Sequence, residues 1–157
     1  MSRSSLEQAI LPDTKILLDT SVILAYLNAR EAVSSAATVV IDEFVRTGRN
    51  RATISAVSVA ETLVRPFAAG AAAVALVEGF LLHFPNLTIM GVDYEVARQA
   101  GQLRALGGLK TPDGLVVATA LSAGIPIVVA NDARWASAIT AAAPTVRLCH
   151  LDAHVPL

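Results

Sequence analysis

The stretch KILLDTSVILAYLN, residues 15–28, joins a short apolar run directly to a segment with helical spacing. The first five residues have the length of a strand buried on both faces, and the apolar residues from Ser21 to Asn28 recur at helical intervals. The same alternation continues along the chain. It predicts further strands at Arg51–Ser55, Leu87–Val92, Pro126–Ala130 and Thr145–Leu148, and further helices at Glu31–Thr47, Val57–Ala69, Ala71–Phe84, Tyr94–Leu106 and Pro112–Ala123. Alternating strands and helices predict an α/β fold of three layers, with a parallel sheet of about five strands and helices on both faces.

The composition is that of a well-filled globular domain. The chain has 157 residues, of which 54% are hydrophobic and 16% charged, and its formal net charge is −1. Such low charge excludes a disordered tail, and the near-neutral balance argues against general nucleic-acid or membrane binding through a basic surface. We expect residues 1–14 to form a loose N-terminal extension and residues 15–157 to form a single domain. Tyr26 and Phe67 are predicted core residues.

The cysteine content and the apolar runs indicate the compartment. Cys149 is the only cysteine, so the chain has no internal disulfide and no cysteine-based metal cluster. The first 14 residues contain no apolar signal segment. The longest uncharged run, Gly114–Asn131, is interrupted by Gly124 and Pro126, so we interpret it as a buried helix followed by a buried strand. These features favour a cytoplasmic protein that does not contact a membrane.

Four acidic residues lie at junctions inside apolar sequence. Asp19 and Asp132 directly follow predicted strands, Glu61 lies in the helix after the second strand, and Asp113 opens the helix that leads into the fourth strand. Ligands of open α/β sheets bind beyond the carboxyl ends of the strands, so these side chains can meet along one edge. Carboxylates that converge away from water repel one another unless a cation compensates them. Oxygen ligands without a nearby histidine or cysteine favour Mg²⁺ or Mn²⁺ over zinc, and the implied chemistry is metal-assisted hydrolysis at phosphorus.

Basic residues flank two of these acids. The stretches 44–60 and 96–112 each contain three basic residues and no acid, and they lead into Glu61 and Asp113 respectively. Lys110 in the second stretch, and Arg65 and Arg134 close in sequence to Glu61 and Asp132, are candidates for contacts with substrate phosphates. This charge is sufficient for local phosphate contacts but not for tight binding independent of sequence.

Each acid also has an ordinary structural explanation. Asp19 is suited to cap the following helix, and Thr111-Pro112-Asp113 is a usual helix start with threonine as the N-cap. Asp132 follows an asparagine in a sequence typical of a turn, and Glu61 could pair with Arg65 one helical turn away. A protein-interaction module without catalytic activity would keep the fold and use the acids only in these ways. A third class, an aspartate-based phosphotransfer or phosphatase domain, is disfavoured because the stretch after the first strand has no second acid.

The order of these motifs resembles the PIN domain, specifically the VapC-type toxins of bacterial toxin–antitoxin modules. The resemblance is carried by LLDTSV around Asp19, by KTPDGLVVATAL around Asp113, by IPIVVANDARW around Asp132 and, more weakly, by the segment around Glu61. It implies a PIN-like fold and a Mg²⁺- or Mn²⁺-dependent endoribonuclease that cleaves RNA. It also implies a homodimer and a cognate VapB-type antitoxin that covers the active site.

The resemblance further implies a role for each matching residue. Asp19, Glu61, Asp113 and Asp132 become the catalytic and metal-binding acids, with Asp19 and Asp113 the strongest ligands. Thr20 or Ser21 would supply a hydroxyl to a metal-bound water or to a phosphate.

Two positions depart from the family pattern. Gly114 stands where a small side chain is more usual, which is expected to loosen the helix start slightly. Val116 and Val117 occupy the turn in which some relatives carry a further acid, and this favours one metal ion over two.

Overall fold

The computed structural model describes residues 2–30 and 32–155. Glu31, at which the sequence predicts the second helix to begin, lies outside the described residues. The same is true of Met1 in the predicted extension and of residues 156–157 at the end of the predicted domain.

The strands form one parallel sheet, as the sequence predicts. They are β1 Ile16–Leu18, β2 Ala52–Ser55, β3 Leu87–Met90, β4 Ile127–Ala130 and β5 Arg147–His150. Their order in the sheet is β3-β2-β1-β4-β5, and every neighbouring pair is parallel. The chain order reverses at β1, so the carboxyl ends of β1 and β4 lie side by side where an α/β sheet usually binds its ligand.

Helices connect these strands. They are α1 Ser2–Ala9, α2 Thr20–Asn28, α3 Ser34–Thr38, which continues as a π-helical segment Val39–Val45, α4 Ala56–Ala69, α5 Ala71–His83, α6 Tyr94–Gly107, α7 Thr111–Ser122, α8 Trp135–Ala142 and a 3₁₀ turn Leu151–His154. Each of the six predicted helical segments contains a helix. Helix α8 is not among the predicted helices, although its buried residues Trp135, Ala138 and Ile139 recur at helical spacing; it is short, with eight residues.

Apolar side chains cover both faces of the sheet, which confirms the three layers. Ile16 and Leu18 of β1 face a core that includes residues from α1, α2, α3 and α5. Leu17 points to the opposite face, where α6, α7 and α8 pack. This alternation places the central strand in both cores at once.

The N-terminal segment is not loose, so that expectation is wrong. Residues Ser2–Ala9 form α1, and the side chains of Leu6 and Ile10 have no exposed surface. Asn50 fixes the following loop, since its side-chain amide donates to the carbonyl oxygens of Leu11 and Thr14 at 2.8 Å. The reason is burial: Leu6 in α1 and Ile10 directly after the helix are both packed into the first core.

Phe67 is also predicted wrongly. It lies on the outer side of α4 and is 67% exposed, whereas Tyr26 is half-buried and packs against Phe80 and Phe84. Val64 on the same helix and Leu76 and Leu82 on α5 are exposed as well. Helices α4 and α5 therefore expose large apolar side chains on the surface of the domain.

Gly114 serves close packing rather than loosening the start of α7. A Cβ atom at this position would lie 3.2 Å from the carbonyl oxygen of Ala100 in α6. The helix start is regular, because the amide of Gly114 donates to the carbonyl oxygen of Lys110 at 2.8 Å. The uncharged run that begins here divides into α7 and β4, as predicted. Within residues 2–30 and 32–155, none of the helices combines the length and the apolar character that a membrane span requires.

Candidate active site

Asp19 lies at the end of the central strand and is the N-cap of α2. Its Oδ2 accepts a hydrogen bond from the amide of Ser21 at 3.0 Å and another from the hydroxyl of Ser21 at 2.6 Å. The side chain is only 8% exposed, and burial raises its pKa. The hydrogen bonds from Ser21 oppose this shift, and the charge of Glu61 adds to it. Asp19 therefore caps α2, as one sequence-based explanation expects, and its carboxylate also lies at the carboxyl end of the central strand.

Glu61 reaches the same place from α4. This helix starts directly after β2, with Ser55 as its N-cap, and Glu61 lies in its second turn. The hydroxyl of Thr20 donates to Oε2 of Glu61 at 2.5 Å. Among the described residues no ion pair joins Glu61 to Arg65, so the helical pair suggested by the sequence does not form.

Asp113 lies in the first turn of α7, where the charges of the other three acids act on it. Its pKa is raised, first by burial and then by the charges of Asp19, Glu61 and Asp132. Lys110 opposes the shift. These electrostatic effects mean that the four carboxylates are close enough to interact, and we call Asp19, Glu61, Asp113 and Asp132 the acidic cluster.

The helix start around Asp113 differs in one detail from the sequence-based interpretation. Lys110, not Thr111, occupies the N-cap position, and it makes no side-chain capping bond. The hydroxyl of Thr111 instead accepts a hydrogen bond of 2.6 Å from the guanidinium of Arg104 in α6.

Asp132 follows β4 and is held differently from the other acids. The guanidinium of Arg134 donates to both of its carboxylate oxygens, with the shortest distance 2.6 Å, and the amide of Arg134 donates to Oδ1 at 3.0 Å. These bonds lower the pKa of Asp132. The carboxylate thus carries its own positive partner, in contrast to Asp19 and Asp113.

The three candidate phosphate contacts border the acidic cluster in different ways. Arg65 shares an open cleft with Thr20, Ser21 and Glu61. Lys110 and Arg134 line a cavity of about 130 Å³ beside Asp113 and Asp132. Of these cations only Arg134 forms an ion pair with a described residue, so Lys110 and Arg65 are the better placed to meet an incoming anion.

The sequence analysis missed Asn131, which joins β4 to the N-terminus of α2. Its amide donates to the hydroxyl oxygen of Ser21 at 3.0 Å, and its side-chain oxygen accepts from the amide of Asp152 at 3.1 Å. Ser21 therefore bridges Asn131 and Asp19 and fixes the orientation of the Asp19 carboxylate. The only signal in the sequence is the position of Asn131 at the end of a strand.

The acidic cluster suits a hard divalent cation. Its negative charges are only partly compensated by protein cations, and the pKa values of Asp19 and Asp113 are raised as a result of burial and mutual repulsion. Across residues 2–30 and 32–155, no three carboxylate, histidine or cysteine side chains lie close enough to hold one ion directly. Mg²⁺ commonly retains several waters and uses one or two carboxylates, so this looser arrangement fits it.

Comparison with known proteins identifies the family and the fold. The family model of the PIN domain matches residues 16–139, and no curated protein matches the chain. FitAcB from Neisseria gonorrhoeae superposes with a TM-score of 0.66 at 21% identity, over 87% of this chain and 97% of that chain. VapBC2 from Rickettsia felis, solved bound to a DNA fragment from their promoter, gives 0.65 at 17% identity, over 87% and 98%.

A third structure, VapC20 from Mycobacterium tuberculosis, is described as a Sarcin-Ricin loop cleaving toxin. It gives a TM-score of 0.59 at 19% identity, over 72% of this chain and 86% of that chain. At these identities the likeness concerns the fold alone. The family match covers well over half of the residues and includes Asp19, Glu61, Asp113 and Asp132, and the chain therefore belongs to the PIN domain family.

Proposed function

We propose that the chain is a divalent-metal-dependent endoribonuclease of the VapC type, the toxin of a toxin–antitoxin module. The observation that carries the proposal is the convergence of four carboxylates, two of them with raised pKa values, at the carboxyl edge of the sheet. Membership of the PIN domain family supports it, and so does the similarity to VapC20, described as a toxin that cleaves the Sarcin-Ricin loop.

The residues of the cluster have distinct proposed roles. Asp19 and Asp113 hold the ion, which we propose to be Mg²⁺ or Mn²⁺. When bound, the ion supplies Lewis-acid polarisation of the scissile phosphate and a more acidic water. Ser21 fixes the Asp19 carboxylate and Thr20 fixes Glu61, which we propose orients the attacking water. Lys110 and Arg65 contact phosphates of the substrate, and Arg134 keeps Asp132 ionised beside the ion.

RNA cleavage tests the catalytic assignment. In the presence of Mg²⁺, Asp19→Asn and Asp113→Asn should each reduce the cleavage rate about 100-fold or more, because each removes a proposed ligand of an ion worth several kcal/mol in the transition state. Glu78→Gln is a matched control, since it removes an exposed carboxylate of α5 outside the cluster. Equal activity in all four proteins would refute the assignment.

Metal removal tests the cofactor. Chelation should abolish cleavage, and either Mg²⁺ or Mn²⁺ should restore it. Cutting that persists without metal would refute the mechanism. If calorimetry detects no binding of either ion at millimolar concentration and no RNA is cut, the alternative of a non-catalytic interaction module gains support.

We further propose that a VapB-type antitoxin binds across α4 and α5 and covers the acidic cluster. The apolar side chains of Val64, Phe67 and Leu76 are exposed on these helices. Val64 also lines the cleft that contains Glu61 and Arg65, so the apolar surface continues into the site. The similarity in fold to VapBC2 from Rickettsia felis supports a partner of this kind.

Substitution of Phe67 tests this interface. Phe67→Ser should weaken binding of the antitoxin encoded beside this chain, because it removes a large apolar contact, and should leave RNA cleavage unchanged. Leu106→Ser is the control, as Leu106 is similarly exposed but lies on α6. Equal antitoxin affinity in both variants would contradict the proposed surface.

We also propose a cytoplasmic homodimer. The support is the low charge content together with the uncovered apolar residues, which suggest more than one protein partner. Light scattering of the isolated chain at micromolar concentrations should give twice the mass of the chain. A monomer mass would contradict the proposal.

A further inference from the structure

A cleft at the amino ends of the strands is lined by basic side chains and by none of the four acids of the acidic cluster. It has a volume of about 400 Å³ and is lined by polar and basic side chains, among them Lys15, Arg51, Thr53, Asn86 and Thr88. We call it the basic cleft. Asp19 follows Leu18 at the other end of β1, so the two sites are roughly 13 Å apart along the strand, at about 3.3 Å per residue.

Two basic residues, Lys15 and Arg51, line this cleft from neighbouring backbone positions. Ile16 of β1 pairs with Ala52 of β2, so Lys15 and Arg51 stand next to each other just before the two strands. The amide of Ile16 donates to the carbonyl oxygen of Arg51 at 3.0 Å, which confirms that the backbones are adjacent. Neighbouring like charges are unfavourable, and no described carboxylate forms an ion pair with either side chain. An anion between them would remove this repulsion.

Thr53 and Thr88 line the cleft on neighbouring strands, together with Ala52, Ala123 and Ile125. Thr53 and Thr88 are register partners on β2 and β3, and their hydroxyl oxygens are 3.2 Å apart. Thr88 also donates to the carbonyl oxygen of Ala52 at 3.3 Å. Both hydroxyl oxygens keep lone pairs that can accept a hydrogen bond, for example from a sugar hydroxyl.

We propose that the basic cleft binds the phosphate group of a nucleotide, with Lys15 and Arg51 on the phosphate and the threonine hydroxyls facing the ribose. Both cations can contact the oxygens of one phosphate, and the two threonine hydroxyls can contact a sugar. The phosphate can belong to an RNA chain or to a free nucleotide. The proposal does not depend on RNA cleavage, because binding can be measured without divalent ions.

Binding in the presence of a chelator tests the proposal. The probes are a short single-stranded RNA and adenosine 5′-monophosphate, titrated into the wild type and into the double variant Lys15→Gln/Arg51→Gln. For RNA, the affinity should fall about tenfold at low salt. The slope of log K against log salt should fall by about 0.7, since both side chains contact the same phosphate and one lost phosphate contact on a single strand contributes roughly 0.7. Arg30→Gln/Arg98→Gln is the control, because it removes the same charge from exposed positions outside the cleft.

The outcomes separate the two sources of the phosphate. If the cleft variant binds RNA more weakly than the wild type, and the wild type shows no measurable binding of adenosine 5′-monophosphate, the phosphate belongs to an RNA chain. Nucleotide binding that is lost in the cleft variant identifies a free nucleotide. Unchanged binding of both probes, or an equal loss in the control variant, overturns the proposal. All four substituted side chains are exposed, and circular dichroism checks that each variant is folded.

Discussion

At the scale of single residues, Asp19 and Asp132 carry the same side chain, but their environments shift its pKa in opposite directions. Asp19 is buried and its pKa is raised, whereas Asp132 is bound by Arg134 and its pKa is lowered. A raised pKa in the folded protein means that the ionised carboxylate reduces stability at every pH above its ordinary titration range. A lowered pKa means the reverse. Asp19 therefore costs stability at neutral pH, and Asp132 contributes to it.

This difference predicts opposite effects of the same substitution. Without divalent ions at pH 7, Asp19→Asn should raise the Tm, because the costly charge is removed and an amide oxygen can still accept from Ser21. Asp132→Asn should lower the Tm, because the ion pair with Arg134 is lost. Thermal unfolding followed by circular dichroism measures both. An Asp19→Asn variant that is less stable than the wild type would contradict the assignment of an uncompensated charge.

Adding Mg²⁺ extends this test to the proposed ion. The wild type should gain Tm with rising Mg²⁺, since a ligand that binds only the folded state stabilises it. The increase in Tm with Mg²⁺ should be smaller for Asp19→Asn, because this variant lacks a proposed ligand of the ion. An equal gain in both proteins would place the ion elsewhere.

At the scale of elements, α1 is part of the domain rather than an appendage. Leu6 and Ile10 are fully buried, and the hydroxyl of Ser5 lies 2.8 Å from Nδ1 of His154 in the C-terminal 3₁₀ turn. The helix therefore joins both ends of the chain to the first core.

Leu6→Ala tests this role of α1. It should lower the free energy of unfolding by about 3 kcal/mol, the usual cost of a buried leucine truncation. Leu11→Ala is the matched control, because Leu11 is 58% exposed, and it should change the free energy by less than about 0.5 kcal/mol. Urea denaturation measures both values. Similar small effects would mean that α1 does not stabilise the domain.

At the scale of the whole molecule, the two cores share the central strand. Ile16 and Leu18 belong to one core and Leu17 to the other, so neither helical layer can separate without exposing β1. We therefore expect the two layers to unfold together.

Trp135 provides the measurement, because it is the only tryptophan and is buried in the core formed with α6, α7 and α8. Its fluorescence and the far-ultraviolet circular dichroism should give coincident urea transitions. A fluorescence transition at lower urea would show instead that the layer containing α8 unfolds first.

The sequence alone predicted the five strands, the helices α2 to α7, the parallel α/β fold and the positions of Asp19, Glu61, Asp113 and Asp132 in these elements. Apolar periodicity and the rule for the carboxyl ends of strands are local signals, so they can be read from the chain. The short helix α8 was not predicted although its buried residues recur at helical spacing, because eight residues carry a weak signal.

Only the tertiary structure decided which side chains meet. Thr20 donates to Glu61 from 41 positions away, and Asn131 donates to Ser21 from 110 positions away. The tertiary structure also determines that Leu6 of α1 is buried, that Phe67 is exposed and that the backbones of Lys15 and Arg51 are adjacent. These features depend on packing between distant segments, because burial and charge compensation are properties of the assembled surface and not of any local stretch of sequence.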